Sequence, residues 1–241
     1  MANSSWINFG ASVIGPSHIK RHSPNQDAFK ATSKKWGDAV VVSDGVGSCP
    51  TSEYGSLAAC RAVVFEAEEY CLTGDVNRLL TNIRRRWLKI LEPFKPEKSA
   101  ATCLFAIRPN EGDILLGMLG DGLISVLKAN GGYEELSDDK EDSFGNLTAA
   151  LSKDTKPDEW RILTVPQNQC RAVLLCTDGV SEDISDKEKF IRNMYDEAKE
   201  RPDFAVTREI YKMLRNWPTP KHSDDKTIVC LCRYGDKNEQ R

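Results

Sequence analysis

Hydrophobic runs long enough to cross a membrane are absent from the 241 residues. A transmembrane helix needs about 20 consecutive apolar residues, and no stretch approaches that length. The N-terminal segment MANSSWINFG lacks both the basic and the apolar region of a secretory signal, so we expect a cytoplasmic protein. The net charge of −3 offers no positive surface to nucleic acid or to an anionic membrane, and neither is expected as a partner.

Histidines and several catalytic signatures are also scarce or missing. The three histidines, His18, His22 and His222, are too few and too poorly spaced for a histidine-based zinc site, and we expect them in loops or on the surface. The eight cysteines form no C-x-x-C pair and most lie in apolar runs, which favours buried, reduced thiols. The motifs G-x-x-x-x-G-K-[ST], G-x-S-x-G and H-E-x-x-H do not occur, so the enzyme classes that depend on them lose support.

Short runs rich in Val, Ile and Leu predict strands that are buried in a sheet. They are Ile7–Ile14, Ala39–Ser43, Thr102–Ile107, Ile114–Leu119, Leu123–Leu127, Ala172–Cys176 and Thr227–Cys232. Apolar residues at helical spacing predict one helix pair after Thr51 and after Asp75, and a second pair between Asp186 and Pro218. This order favours a single α+β domain over residues 1–241, with two central, mainly antiparallel sheets flanked by helix pairs.

Two polar segments interrupt this pattern. Residues from about 137 to 170 show little apolar periodicity, and a loop of that length in a compact domain is often functional, so we expect a mobile flap there. The basic run Arg84-Arg85-Arg86 lies on a predicted helix and is interpreted as a solvated face rather than a binding patch.

Three Asp-Gly pairs each follow an apolar strand, at Asp44-Gly45, Asp121-Gly122 and Asp178-Gly179. A single Asp-Gly pair is most often a turn, and Asp121-Gly122, between two strands, fits that interpretation well. Three pairs instead suggest carboxylates held at rigid strand ends, as a metal site requires, each beside a glycine that lets the backbone approach an ion. Asp27 and the pair Asp224-Asp225 complete an all-oxygen set of the kind that Mg²⁺ and Mn²⁺ prefer.

Six segments carry a family resemblance: RHSPNQDAF, VVSDGVGS, SAATCLFAI, LGDGLISVL, LLCTDGVSED and DDKTIVCL. In this order, from Arg21 to Leu231, they resemble the phosphatase-2C family, also called PPM-type phosphatases. The opening GASVIGPSHIKR, with DGVGS and DDKT, is similar to a short bacterial subgroup of that family. The resemblance implies a four-layer α/β/β/α sandwich that hydrolyses phosphoserine or phosphothreonine on proteins, with a water activated between two divalent metals, Mn²⁺ or Mg²⁺. It is also consistent with a Ser/Thr kinase as a partner.

The resemblance assigns roles to the acidic positions. Asp44 would bridge the two metals, with the carbonyl of Gly45 as a further ligand. Asp178 and Asp224 would each bind one metal through a carboxylate, and Asp27 would act mainly through metal-bound water.

Three other residues complete the assignment. Asp121 would help to hold a third, weaker metal, and Arg21 would grip the substrate phosphate. Asp225 stands where the family often has Asn, so its role as a ligand stays open.

The sequence departs from the family pattern at three places. Gln26 precedes Asp27 where many members have Glu. Arg21 lies one residue further from Asp27 than usual, with His22 at the expected place, and Val46 stands where many members carry His or Met. The main alternative is therefore a pseudophosphatase, a binding module with the same fold and little activity. A metal-dependent nuclease is disfavoured because the sequence shows no basic surface.

Overall fold

A computed structural model describes residues 5–137, 149–218 and 223–235. In these ranges the chain forms ten strands and six α-helices. The strands are β1 (Ser5–Val13), β2 (Asp27–Lys34), β3 (Gly37–Asp44), β4 (Cys103–Pro109), β5 (Asp113–Leu119), β6 (Leu123–Lys128), β7 (Tyr133–Ser137), β8 (Arg161–Pro166), β9 (Cys170–Cys176) and β10 (Lys226–Tyr234). The helices are α1 (Pro16–Arg21), α2 (Ser52–Thr73), α3 (Val76–Leu91), α4 (Asp178–Ser181), α5 (Lys187–Ala198) and α6 (Asp203–Arg215).

The strands form two five-stranded sheets. One has the order β1-β10-β9-β6-β7 and the other the order β2-β3-β4-β5-β8. Every strand pair in both sheets is antiparallel. This confirms the α+β fold with two antiparallel sheets.

Side-chain alternation along the central strands builds the four layers. In β3, Ala39 and Val41 pack under α2 and α3, whereas Val40 and Val42 face the space between the two sheets. A third apolar cluster packs α5 and α6 on the outer face of the other sheet. Because successive residues of a strand point to opposite faces, a continuous apolar run such as AVVV is what a sheet covered on both sides requires.

The two helix pairs begin where the sequence places them. Asp75 caps α3 by accepting from the Arg78 N–H at 3.0 Å, and Asp186 caps α5 by accepting from the Lys189 N–H at 2.9 Å. Thr51 precedes α2 as expected, but its hydroxyl donates to the Lys98 carbonyl and forms no cap.

Four short elements escape the sequence prediction. Strands β2, β7 and β8 were not predicted. All three lie at sheet edges, where exposed polar residues interrupt the apolar alternation that identifies a strand. Helix α1, six residues long, occupies part of a segment that the sequence suggested was a loop.

The segment 137–170 is not one long loop. Its residues 161–166 form β8, which pairs with β5, and Leu151 is fully buried with its N–H donating to the Ala101 carbonyl at 2.8 Å. The flap prediction is therefore wrong for this portion, and residues 138–148 lie outside the described residues.

The cysteines are present as free thiols. All eight cysteines lie in the described ranges and none is part of a disulfide, with Cys60, Cys103, Cys176, Cys230 and Cys232 among the buried thiols. Among the helices of the described ranges, none has the length and apolar character needed to cross a membrane.

Candidate metal centre

Asp27 and Asp44 face each other across one strand pair. Asp27 is the first residue of β2 and Asp44 the last of β3, and the antiparallel register places them directly opposite. Each carboxyl group acts on the pKa of the other. Two acidic residues that the sequence separates by a strand, a turn and another strand therefore lie side by side.

Asp178 and Asp224 reach the same place from the other sheet. Asp178 is the first residue of α4, separated from β9 only by Thr177, and Asp224 lies two residues before β10, the strand that pairs with β9. The charges of both carboxylates act on Asp44. The centre thus lies where corresponding ends of the two sheets meet.

The electrostatics of the cluster are those of crowded carboxylates. Burial raises the pKa of Asp27 to about 7, opposed by hydrogen bonds from Thr227 and Thr177 and increased by the charge of Asp225. Burial, followed by the charges of Asp27 and Asp178, holds the pKa of Asp44 well above its usual range. Both acids therefore resist ionisation unless positive charge is brought to them.

Lys226 provides some of that positive charge. It is buried, and its Nζ donates to the Asp224 carbonyl at 3.1 Å. Burial lowers the pKa of this ammonium group, although the neighbouring carboxylates act in the opposite direction. One lysine does not balance four carboxylates, so the donor set is matched to hard divalent cations such as Mg²⁺ and Mn²⁺, which select oxygen ligands.

Backbone contacts fix the Asp44-Gly45 turn. The Asp44 N–H donates to Thr102 Oγ1 at 2.8 Å, and the Thr102 N–H donates to the Asp44 carbonyl at 2.8 Å. The Val46 N–H donates to the Ala100 carbonyl at 3.0 Å, so in a trans peptide the Gly45 carbonyl points the opposite way. A Cβ on Gly45 would lie 2.7 Å from the Ser52 Cβ, which requires glycine here.

Asp121 lies in the link between the two sheets. β5 belongs to one sheet and β6 to the other, so Asp121-Gly122 is a crossover and not the hairpin turn that a single Asp-Gly pair suggests. Gly122 has φ +114° and sits against the Cys176 carbonyl, where a Cβ would lie 2.7 Å away. Asp121 therefore belongs to a loop that runs beside the start of the Asp178 segment.

Arg21 lies at the exposed end of α1. Its Nε donates to the Ser17 carbonyl at 3.3 Å and its Nη2 to Ser17 Oγ at 3.1 Å, so the guanidinium is turned back on its own helix. His22 is also exposed and ends α1 in the left-handed conformation, with φ 54°. His222 lies outside the described residues.

His18 was expected in a loop or on the surface, and this expectation is wrong, because it lies in α1 and is buried. The residue is 6% exposed, and Nδ1 is 2.8 Å from Asp225 Oδ2 and 3.9 Å from Asp224 Oδ1. His18, Asp224 and Asp225 place one ligand atom each within 4.8 Å of one another. The burial follows from α1, which brings this histidine onto the start of the last strand.

Two threonines of the centre were also missed by sequence reasoning. Thr177 Oγ1 donates to Asp27 Oδ2 at 2.8 Å and accepts from the Thr227 N–H at 3.2 Å. Thr177, which follows β9, and Thr227, in β10, thereby connect the Asp27 carboxylate of one sheet to two strands of the other. The available signal was that each threonine directly follows or precedes the apolar run of an aspartate motif, in LLCTDG and DDKT.

A model of one known protein family matches most of the chain. The family model for protein phosphatase 2C matches residues 14–215, most of the chain, including Asp27, Asp44, Asp121 and Asp178. The chain belongs to the protein phosphatase 2C family. No curated protein matches the sequence.

Solved structures share the fold of this phosphatase-2C chain. A bacterial serine phosphatase is 17% identical, with 98% of this chain and 100% of that chain covered and a TM-score of 0.63. The serine/threonine phosphatase Stp1 from Staphylococcus aureus is 15% identical, with 96% of each chain covered and a TM-score of 0.63. PppA, a regulatory component of T6SS in Pseudomonas aeruginosa, is 15% identical, with 96% of this chain and 99% of that chain covered and a TM-score of 0.66. At such identities the likeness establishes the α/β/β/α fold.

Proposed function

We propose that this phosphatase-2C protein hydrolyses phosphoserine and phosphothreonine on proteins with the help of two divalent metals, Mn²⁺ or Mg²⁺. The observation that carries the proposal is the convergence of Asp27, Asp44, Asp178 and Asp224 from both sheets, in a setting that raises the pKa of two of them. Such a cluster is unfavourable by itself and becomes favourable when cations occupy it.

The ligand assignment follows the position of each group. Asp44, at the meeting point of the other charges, would serve both metals, and the Gly45 carbonyl would add a neutral oxygen. Asp178 and Asp224 would serve one metal from the second sheet. Asp121, in the crossover loop beside Asp178, would contribute to a third, weaker site.

The reaction is the attack of water on phosphorus, with cleavage of the bond to the seryl or threonyl oxygen. When bound, the metals supply the acidity that deprotonates water and the charge that stabilises the phosphoryl oxygens. Asp27, fixed by Thr177, would orient the attacking water through a hydrogen bond. Val46 has no proton to give, so the departing oxygen would take its proton from solvent.

Substrate recognition would rest on Arg21. Its guanidinium can hold a phosphate with two parallel hydrogen bonds, but it would first have to leave Ser17. Substrates would be phosphoproteins, which a Ser/Thr kinase produces.

The test is hydrolysis of p-nitrophenyl phosphate and of a phosphoserine peptide by protein stripped with EDTA, with and without added Mn²⁺. We expect no activity in the chelator and recovery with Mn²⁺. Full activity of the metal-free protein would remove the two-metal mechanism.

A pseudophosphatase is the second candidate. It is favoured by the turn of Arg21 towards Ser17 and by Val46 at a position where a histidine could protonate the leaving group. The same assay separates the two: a pseudophosphatase would bind the phosphopeptide and leave it intact at saturating Mn²⁺.

A further inference from the structure

The carboxylate of Asp225 is occupied by protein donors on both oxygens. Oδ1 accepts from the Gly15 N–H at 2.7 Å, and Oδ2 accepts from the Gln26 N–H at 2.6 Å and contacts His18 Nδ1 at 2.8 Å. Asp225 is 2% exposed and His18 is 6% exposed. A carboxylate is only an acceptor, so we assign the proton of the His18–Asp225 contact to Nδ1.

We propose that His18 and Asp225 form a positioning pair that holds the Gln26 backbone, and through it Asp27 and Gly45 of the metal centre, and that Asp225 is not itself a metal ligand. The contacts of Asp225 support the pair itself, whereas its effect on metal binding rests on the proposed function.

The Gln26 backbone connects this pair to the metal centre. While its N–H, in the peptide that follows Asn25, donates to Asp225, its carbonyl, in the peptide that precedes Asp27, accepts from the Gly45 N–H at 3.1 Å and from Ser56 Oγ at 2.6 Å. A shift of the Gln26 backbone would therefore move both the Asp27 carboxylate and the Gly45 carbonyl.

Helix α1 is fastened to the same place. The Ser17 N–H donates to the Ser223 carbonyl at 2.9 Å, and a Cβ on Gly15 would lie 2.2 Å from the Asp224 carbonyl carbon. This close packing brings His18 onto Asp225, because His18 lies only three residues after Gly15. Helix α1 and the segment before β10 thus act as one unit behind the centre.

Three donors also explain why aspartate stands at this position. Asparagine offers one acceptor oxygen and one NH₂ group, so at least one N–H of Gly15 or Gln26, or the His18 N–H, would face another donor.

The experiment compares Asp225→Asn, His18→Leu, His18→Asn and the double variant His18→Leu/Asp225→Asn, with the exposed Ile19→Asn as a control on the same helix. Asn at position 18 can place an N–H close to where Nδ1 lies. Two readouts are used: amide hydrogen exchange of Gly15 and Gln26 in metal-free protein, and Mn²⁺ titration by calorimetry.

We expect Asp225→Asn and His18→Leu each to speed the exchange of both amides about 10-fold and to weaken Mn²⁺ binding about 10-fold, with the number of bound ions unchanged. In the double variant, amide exchange should be no faster and Mn²⁺ binding no weaker than in the more strongly affected single variant, because the effects of substitutions within one hydrogen-bond network do not add. His18→Asn and Ile19→Asn should stay within about threefold of the unmodified protein.

A different pattern would overturn the inference. If Asp225 is a metal ligand, Asp225→Asn will lower the number of bound Mn²⁺ ions while His18→Leu leaves binding and exchange unchanged. Unchanged exchange in both variants would also refute the pair. If His18→Leu does not fold, His18→Asn provides the test. Loss of exchange protection at Gly15 and Gln26 in His18→Asn would then refute the positioning pair. The exchange readout needs neither metal nor activity, so it stands apart from any failure of the proposed function.

Discussion

Replacing Asp27 by Asn should make the metal-free protein more stable at alkaline pH, although it removes a residue of the proposed centre. Asn has the shape of the protonated acid: its oxygen can accept from Thr177 and its NH₂ can donate to Asp44. Unlike Asp27, it does not have to become charged in a buried site.

The magnitude follows from the pKa of Asp27. Its rise from 3.8 to about 7 corresponds to at most about 4 kcal/mol of folding free energy. Below pH 3.8 both folded and unfolded states are protonated and nothing is lost. As the pH rises, the unfolded state releases its proton first, so stability falls progressively until the pH passes about 7.

The assay is urea unfolding in EDTA at pH 4.5 and pH 8, followed by tryptophan fluorescence, for which the fully buried Trp87 is a natural probe. We expect Asp27→Asn to exceed the unmodified protein by about 1 kcal/mol at pH 4.5 and by about 2–4 kcal/mol at pH 8. Asp113→Asn, at the exposed start of β5, changes the same charge away from the centre and should show no such difference. Equal or lower stability of Asp27→Asn at pH 8 would refute the account of the cluster.

The remaining predictions concern activity. Asp44→Asn and Asp178→Asn should each lower kcat on the order of 100-fold without unfolding the protein, because the charge that holds the cations is lost; near-normal rates with unchanged circular dichroism would mean that the Asp-Gly pairs are only turns. Thr177→Val should cost about 10-fold in kcat, because the neighbouring carboxylate loses its donor, and an unchanged rate would count against its orienting role. Arg21→Ala should raise KM and weaken inhibition by free phosphate with Mn²⁺ affinity unchanged; the same effect from His22→Ala alone would transfer the role to that histidine.

The fold was largely accessible from the sequence because its central strands are covered on both sides. Continuous apolar runs such as Ala39–Ser43 and Ala172–Cys176 have no other simple explanation in a protein of this composition. Edge strands carry no such signal: β7 has no fully buried residue, and β8 alternates within a polar segment. Strand β8 forms because it pairs with β5, whose residues lie about 50 positions earlier in the sequence.

The candidate site was accessible only in part. The aspartates stand out because a carboxylate at the end of an apolar run is conspicuous in the sequence. The residues that hold them do not stand out, because their contacts join distant segments: Thr177 and Asp27 are 150 positions apart, and His18 and Asp225 are 207 apart. A lone histidine in a short polar stretch gives no indication of burial until α1 is docked on the last strand.

The proposed function requires the carboxylates of the two sheets to hold two divalent cations together. Calorimetric titration of EDTA-stripped protein with Mn²⁺ measures this binding, with Asp44→Asn titrated beside the unmodified chain. We expect about two ions per chain, and a strong loss of binding in Asp44→Asn, whose carboxylate would serve both. If the folded protein binds no Mn²⁺, or if Asp44→Asn binds it equally well, the two-metal centre is wrong.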